Sequence, residues 1–198
     1  MKRLLLASLT ILLLLNQSML AQEEVPYDWA AFYQLISIEA EAYTSFKLTG
    51  AVKANGDQPD ANDAAALWAR VEKADGTPAF FDNMADRLIT AKEWNKYIIQ
   101  GDITSDDVNI YFGGLVVGSG SFFFDALKLE FKKADGTWTT FDLKDGGFEA
   151  EVEGNKMKYW LEGIHISTDI RSVKYSISAS MDAYEGKKSL LIKRRKNF

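Results

Sequence analysis

The chain has 198 residues, of which 47% are hydrophobic and 26% charged, and it contains no cysteine and one histidine. This composition excludes an intrinsically disordered chain, a disulfide-stapled mini-protein and any site built from thiolates or several histidines. With 23 basic and 28 acidic residues the net charge is −5. No overall positive field exists to attract a nucleic-acid backbone, so we expect no nucleic-acid partner.

The N-terminal residues have the pattern of a secretory signal peptide. Lys2 and Arg3 give a positive start, an apolar stretch runs from Leu4 to Leu15, and Ala21 is a small residue suited to cleavage. The apolar stretch is shorter than the roughly 20 residues that cross a bilayer, so no membrane span is expected. We predict that residues 1–21 are removed and that the protein is periplasmic or secreted. Because the removed part holds two basic residues and no acidic one, the net charge changes from −5 to −7.

Beyond the signal peptide, apolar and polar residues alternate with period two, which predicts strands. The predicted strands are Phe46–Val52, Ala64–Val71, Ile98–Ile99, Val108–Phe112, Phe122–Phe131, Trp160–Ile166, Val173–Met181 and Lys188–Ile192. Asn-Gly and Asp-Gly pairs, and the pair Gly113–Gly114, predict turns between them. One short helical turn is predicted before Trp94, where Thr90 and Glu93 have the spacing of a capping box.

These patterns predict an all-β fold, an antiparallel β-sandwich of the jelly-roll kind. The stretch Lys132–Thr137 is the best candidate for a boundary within the chain. It leaves a C-terminal piece of about 60 residues, which is marginal as a core of its own. We therefore expect residues 22–198 to form a single domain.

Several sequence blocks occur in a recognisable order. They are Leu67–Val71, Phe81–Met84 with Arg87, Trp94 with Tyr97, Gly113–Gly114, Gly118–Gly120 and Phe124–Asp125. This series resembles a non-catalytic, galactose-binding-like jelly-roll domain, similar to carbohydrate-binding modules. That domain accompanies bacterial S41-type peptidases, erythromycin-esterase-like proteins and AraC-type regulators.

The resemblance also predicts an unusual order of segments. Residues 33–131 match the C-terminal part of that domain. Residues 141–198 match its N-terminal part, through Asp145–Glu149, Trp160, Tyr175, Asp182 and Gly186–Leu190. The chain therefore resembles a circular permutant, which is tolerated where the old termini lie close together at the surface. A truncated tandem protein is the alternative.

The resemblance implies a binding function without catalysis. The catalytic neighbours of that domain are missing, and no nucleophile elbow, zinc-binding helix or phosphate loop is found in the sequence. We expect an exported, non-enzymatic module that binds carbohydrate or another cell-envelope component. Two alternatives remain open: a structural or protein-interaction module that pairs with a partner chain, and a remnant of an S41-peptidase-like or esterase-like protein. A hydrolase with an unfamiliar carboxylate site is a further hypothesis.

Trp68 and Arg70 are the first candidate ligand-binding residues. They share one face of a predicted strand, whose other face is apolar and suits the core. A flat indole beside a guanidinium matches the CH face and the hydroxyl groups of a sugar. The alternative is that Trp68 is buried in a second layer and that Arg70 pairs with Asp82 or Asp86.

Trp94 and Tyr97, which belong to the same blocks, complete the predicted ligand-binding set. The only histidine, His165, has Ser167 and Asp169 close by in sequence. Side chains along one strand do not converge on a point, so we interpret His165 as a surface or half-buried residue rather than a general base.

Asp125 and Glu149 are the candidate metal ligands. Alternation places Asp125 in register with the apolar residues Leu127 and Leu129, where a carboxylate needs a partner. Arg87 or Arg70 is one possibility. The other follows from the resemblance, since Asp125 and Glu149 stand where related jelly rolls hold a structural calcium ion, a cation that prefers oxygen ligands. The acidic segment 57–63 is a second calcium candidate, but it lacks the glycine and the final glutamate of an EF-hand.

Overall fold

The computed structural model describes residues 23–39, 42–58, 63–165 and 169–197. The predicted signal peptide lies outside these residues. The strands are β1 (Glu23–Val25), β2 (Trp29–Ser37), β3 (Tyr43–Gly56), β4 (Ala64–Lys73), β5 (Pro78–Asp82), β6 (Asn95–Asp102), β7 (Asp107–Val117), β8 (Gly120–Lys133), β9 (Trp138–Thr140), β10 (Val152–Glu153), β11 (Lys156–Met157), β12 (Leu161–Glu162), β13 (Ile164–His165), β14 (Asp169–Ser172), β15 (Tyr175–Ser180) and β16 (Ser189–Arg194).

Two antiparallel sheets pack face to face and form a β-sandwich, which confirms the predicted fold class. One sheet has the order β12-β2-β7-β4-β5. The other has the order β15-β16-β8-β3-β6, with β9 beside β8 as its sixth strand. A small sheet, β1-β14-β13, and the hairpin β10-β11 complete the set. The jelly-roll connectivity stays a prediction.

A single buried cluster of apolar side chains lies between the two large sheets. Its largest members include Phe32, Phe46, Phe112, Phe122 and Phe124. Burying side chains of this size is the main favourable contribution to folding. We call the sheet surface that points toward this cluster the inner face and the opposite surface the outer face.

The segments before and after the candidate boundary at Lys132–Thr137 share the six-stranded sheet. Strand β16 pairs with β8 from Leu190 opposite Phe124 to Lys193 opposite Ser121. Leu127 also donates a backbone hydrogen bond to Gly146. The C-terminal segment therefore completes a sheet that the N-terminal segment begins.

Strand β2 is absent from the sequence prediction. Five consecutive residues of it are buried, from Ala30 to Gln34. It lies between β12 and β7, and its outer-face residue Tyr33 is covered as completely as its inner-face residue Phe32. Such a strand does not alternate between apolar and polar residues, so a period of two does not reveal it.

Three local predictions are wrong. Gly113 and Gly114 lie inside β7 rather than in a turn, because the neighbouring strand leaves no room for a side chain: a Cβ on Gly113 would be 1.9 Å from the Phe32 carbonyl oxygen. The stretch before Trp94 contains bends and no helical turn. His165 and Asp169 do not belong to one strand, because they are opposite positions in the backbone register of the β13–β14 pair, and Ser167 lies outside the described residues.

Candidate functional site

Trp68 lies on the outer face of the five-stranded sheet. As predicted, Leu67 and its inner-face neighbours pack in the core instead. The indole, however, is only 5% exposed, because it packs in a separate cluster with Tyr33 and Tyr111. Its Nε1 donates a hydrogen bond to the carbonyl oxygen of Phe32 at 3.2 Å. The ring is thus part of a buried second layer, and in this structure it does not offer an exposed platform for a sugar.

Arg70, on the same face, pairs with a neighbour on its own strand. Its Nε lies 2.7 Å from a carboxylate oxygen of Glu72. The predicted alternative, a pair with Asp82 or Asp86, is wrong, because Arg87 binds both of those carboxylates. Arg70 and Arg87 are therefore engaged elsewhere, and neither neutralises Asp125.

Trp94 and Tyr97 point to opposite sides of the six-stranded sheet. Tyr97 packs against the core, and burial raises the pKa of its hydroxyl. Trp94 lies on the outer face, where its ring meets Phe123 and Tyr184 edge to face at centroid distances of 6.3 and 6.1 Å. The four predicted ligand-binding residues therefore do not form one site, since Trp68 and Arg70 lie on the far side of the sandwich.

A network of charges fixes Trp94 to the segment that follows β15. The Trp94 Nε1 donates a hydrogen bond to Asp182 at 3.0 Å. Lys53 forms an ion pair with the same carboxylate, and its ammonium lies 4.5 Å from the centre of the Phe123 ring. The ammonium of Lys53 and the indole N–H hold the pKa of Asp182 below its usual range.

Asp125 does not follow the predicted alternation, because β8 contains a β-bulge. The register between β3 and β8 shifts after Thr49, and Ala126 has a φ of 49°, in the left-handed region. The extra residue lets Leu127 pack in the core while Asp125 points to the outer face. The prediction that Asp125 shares a face with Leu127 and Leu129 is therefore wrong.

The Asp125 carboxylate is nevertheless completely buried, because residues 182–188 cover it. We call these residues the anchored loop. One carboxylate oxygen accepts backbone hydrogen bonds from Tyr184 and Glu185 at 2.7 and 2.9 Å. The other accepts the N–H of Ala126 at 2.6 Å. Burial raises the pKa of Asp125; the three N–H donors oppose that rise, and the negative charge of Glu149 adds to it.

Glu149 holds the other end of the anchored loop. One of its oxygens accepts the backbone N–H groups of Lys187 and Lys188 at 2.6 and 3.2 Å, and these bonds lower the pKa of Glu149. The close approach depends on Gly186, which has a φ of 70° and where a Cβ would be 2.1 Å from that oxygen. The preceding Phe148 packs in the core against Trp160.

The two residues predicted to bind calcium thus lie close together, but their carboxylate oxygens accept hydrogen bonds from backbone N–H groups. Five backbone N–H groups point at the two carboxylates, and they supply the positive potential that a cation would otherwise provide. Within the described residues no three His, Cys, Asp or Glu side chains are grouped as metal ligands. This donor set favours anchoring of a loop over metal binding. Calcium stays a prediction, which chelation can test.

A groove of about 700 Å³ opens on the outer face beside the anchored loop. The bulge residues Ala126 and Leu127 and the glycines 146, 147 and 186 line it with little side-chain bulk. Polar and charged groups surround them: Thr49, Lys96, Lys128, Thr140, Asp142, Glu149 and Glu185. Phe141 and Leu143 supply apolar surface. Of the predicted site residues, only Glu149 lines this groove.

Tyr184 stands at the rim of the groove and is 39% exposed. The residues that follow it, Glu185 and Gly186, line the groove, and so does Lys96, whose ammonium lies 5.1 Å from the centre of the Tyr184 ring. Sequence reasoning missed Tyr184, Lys96 and Lys128 as a group. They come from three elements far apart in the chain, and no spacing signal brings them together.

Comparison with known proteins found no family model, no curated protein and no solved structure that matches this chain. No helix in the part of the chain that the structure describes has the length and apolar character needed to cross a membrane.

Proposed function

We propose that this protein is an exported, non-enzymatic module that binds carbohydrate, or another polar component of the cell envelope, in the groove beside the anchored loop. The observation that carries the proposal is the composition of this groove. It combines hydroxyl, ammonium and carboxylate groups, and the half-exposed ring of Tyr184 lies beside two of its lining residues, Lys96 and Glu185. Hydrogen-bonding groups beside an aromatic face are the chemistry that recognises sugars, whose rings have polar edges and a CH-rich face.

The charge of the groove favours a neutral ligand. Lys96 and Lys128 contribute two positive charges, and Asp142, Glu149 and Glu185 contribute three negative ones. Several are already paired: Lys96 lies 3.5 Å from Glu185, and Lys128 lies 2.8 Å from Glu130. A strongly anionic ligand would meet uncompensated carboxylates, whereas hydroxyl groups can donate to the same oxygens and accept from the lysines.

The anchored loop gives this groove a fixed shape. Asp125 and Glu149 hold four of its backbone N–H groups, and Asp182 ties its start to Lys53 and Trp94. A binding surface that is already ordered loses less conformational entropy when a ligand arrives. Loop rigidity therefore supports a binding role even though the groove is shallow and open.

The decisive test is retention on carbohydrates. We expect the protein to be retained on a glycan array or in a polysaccharide affinity gel, on neutral glycans in preference to sulfated ones. Tyr184→Ala removes the aromatic face and is expected to weaken binding about tenfold, as the loss of one ring contact does. Tyr159→Ala is a matched control, because Tyr159 is 44% exposed and also has a lysine ammonium 5.0 Å from its ring.

Two results would reject the proposal. One is the absence of retention on every glycan tested. The other is an equal loss with Tyr184→Ala and Tyr159→Ala, which would show that retention does not involve the groove.

A protein-interaction module is the second candidate function, and an open edge strand in the six-stranded sheet favours it. The third candidate, a remnant of a peptidase-like or esterase-like protein, would bind neither carbohydrate nor a partner protein.

A further inference from the structure

Among the described residues the two large sheets have five edge strands, and four of them are short or blocked. Strand β9 has three residues and pairs only with β8. Strand β12 has two residues, and β5 has five and begins with Pro78, which lacks an N–H donor. Strand β15 is covered by Asn155, whose side chain accepts the N–H of Ile177 at 2.9 Å and contacts the carbonyl oxygen of Tyr175 at 3.5 Å. These are recognised ways of preventing a sheet edge from pairing with another chain.

Strand β6 is different. All eight of its residues, Asn95–Asp102, pair with β3 on one side, and no described strand pairs with the other side. It contains no proline and no bulge, and Ile98 is 54% exposed on its outer face. A regular edge of this length, with no described strand paired to it, presents a row of backbone donors and acceptors that a further strand can bind.

We propose that β6 pairs antiparallel with β6 of a second copy of this chain, so that two six-stranded sheets join into one. Residues directly opposite each other in an antiparallel pair point to the same face of the sheet. The two-fold axis, which is perpendicular to the sheet, must therefore pass between the two copies of one residue. Only then do the outer faces of both copies lie on the same side of the joined sheet. With the axis at Ile99, Ile98 lies opposite Gln100 of the second copy. Lys96 then lies opposite Asp102 of the second copy, on the same outer face.

The charges of β6 favour this register, and they favour a second copy of this chain as the strand that pairs with the free edge. Lys96 and Asp102 are the two charged residues of β6, and they stand three residues on either side of Ile99. If the axis lies at Ile98 or at Gln100 instead, Lys96 of one copy no longer lies opposite Asp102 of the other. Opposite charges directly across an antiparallel pair are stabilising, and like charges are destabilising. Self-pairing therefore places an opposite charge across from each of these residues in both copies, in addition to the Glu185 carboxylate that lies 3.5 Å from Lys96.

The experiment measures oligomeric state by analytical ultracentrifugation over the micromolar to millimolar range. We expect a monomer–dimer equilibrium in the wild type. Lys96→Asp and Asp102→Lys each place like charges opposite one another, and each is expected to raise the dimer Kd about tenfold. The double reversal, Lys96→Asp with Asp102→Lys, restores both pairs and the wild-type Kd. Lys144→Asp is the control for net charge, since its side chain is 66% exposed and belongs to a loop outside β6.

Near-ultraviolet circular dichroism confirms that each variant is folded. The proposal is overturned by a wild-type monomer at every concentration. It is equally overturned if the double reversal stays as weak as the single variants, or if Lys144→Asp weakens the dimer as much as they do. Asp102 does not line the groove, so the glycan retention of Asp102→Lys separates this inference from the proposed function.

Discussion

Replacing Asp125 by alanine removes the acceptor of three backbone N–H groups, two of them in the anchored loop. A hydrogen bond to a charged, buried acceptor contributes about 1.5 kcal/mol or more. The two long-range bonds, from Tyr184 and Glu185, therefore give an expected loss of about 3 kcal/mol. For a chain of this size that lowers the Tm by roughly 6–12 °C.

Hydrogen exchange shows whether the loss occurs where the structure places it. In Asp125→Ala the amides of Tyr184 and Glu185 should exchange faster, because they lose their acceptor. Asp63→Ala is the matched control: Asp63 is also buried and accepts two backbone N–H groups, from Gln58 and Ser119, at 2.6 and 2.7 Å. It should lower the Tm by a similar amount and leave the anchored loop protected. A change of less than about 2 °C in Asp125→Ala, or unchanged exchange at Tyr184 and Glu185, would refute the reasoning.

The pH dependence of the same site has an unusual sign. The pKa of Asp125 is raised above its ordinary value of 3.8, so the part of its contribution to stability that depends on protonation is fully present below that value and is lost as the pH rises through the raised pKa. The destabilisation caused by Asp125→Asn should therefore be larger in acid than at neutral pH. Glu149, whose pKa is lowered from 4.5, behaves oppositely: its contribution is present above 4.5 and is lost as the pH falls through the lowered pKa. Urea unfolding curves of Asp125→Asn and Glu149→Gln across acidic pH measure the two signs.

Three further predictions concern the second layer, the bulge and calcium. Trp68→Ala should lower the free energy of unfolding by about 3–5 kcal/mol and leave glycan retention unchanged, because the ring is buried on the far side of the sandwich; loss of retention without loss of stability would identify Trp68 as a ligand platform. Ala126→Gly should stabilise the fold by up to about 1 kcal/mol, because glycine accepts a positive φ, whereas Ala69→Gly inside β4 should destabilise it by about the same amount. A chelator should leave the Tm of the wild type unchanged in scanning calorimetry, because carboxylate oxygens of Asp125 and Glu149 already accept hydrogen bonds from backbone N–H groups; a drop that Asp125→Ala abolishes would show that calcium binds there.

The sequence predicts best where one side of a strand faces the core and the other faces water. In β15 the residues Tyr175 and Ile177 are buried, whereas Ser176 and Ser178 are only half-buried, as the alternation indicates. Local turn chemistry is equally readable. The Asp82–Asn83 turn has the Asx hydrogen bonds that aspartate and asparagine favour in turns, with Asp82 accepting the N–H of Met84 at 2.8 Å and Asn83 that of Ala85 at 3.2 Å.

The site is much less readable, for two physical reasons. A bulge adds one residue without a sequence mark, and Ala126 is an ordinary alanine that takes a positive φ because the surrounding sheet requires it. The partners of Asp125 are backbone N–H groups, which every residue except proline has, so no side-chain pattern could identify Tyr184 and Glu185 as donors. Residue types suggested an arginine or a cation for this carboxylate, because those are the partners that a sequence can show.

The bulge is also what couples the fold to the groove. In a regular strand, residues i and i+2 share a face, so Asp125 and Leu127 would point to the same side of the sheet. Without an extra residue in β8, either the carboxylate would point into the core or the leucine would point to the outer face. Ala126 absorbs that mismatch and itself becomes part of the groove lining. The outward Asp125 then holds the anchored loop, and the loop brings Glu185 and Gly186 to the other wall. One inserted residue therefore creates both the surface of the groove and the anchor that keeps its wall in place.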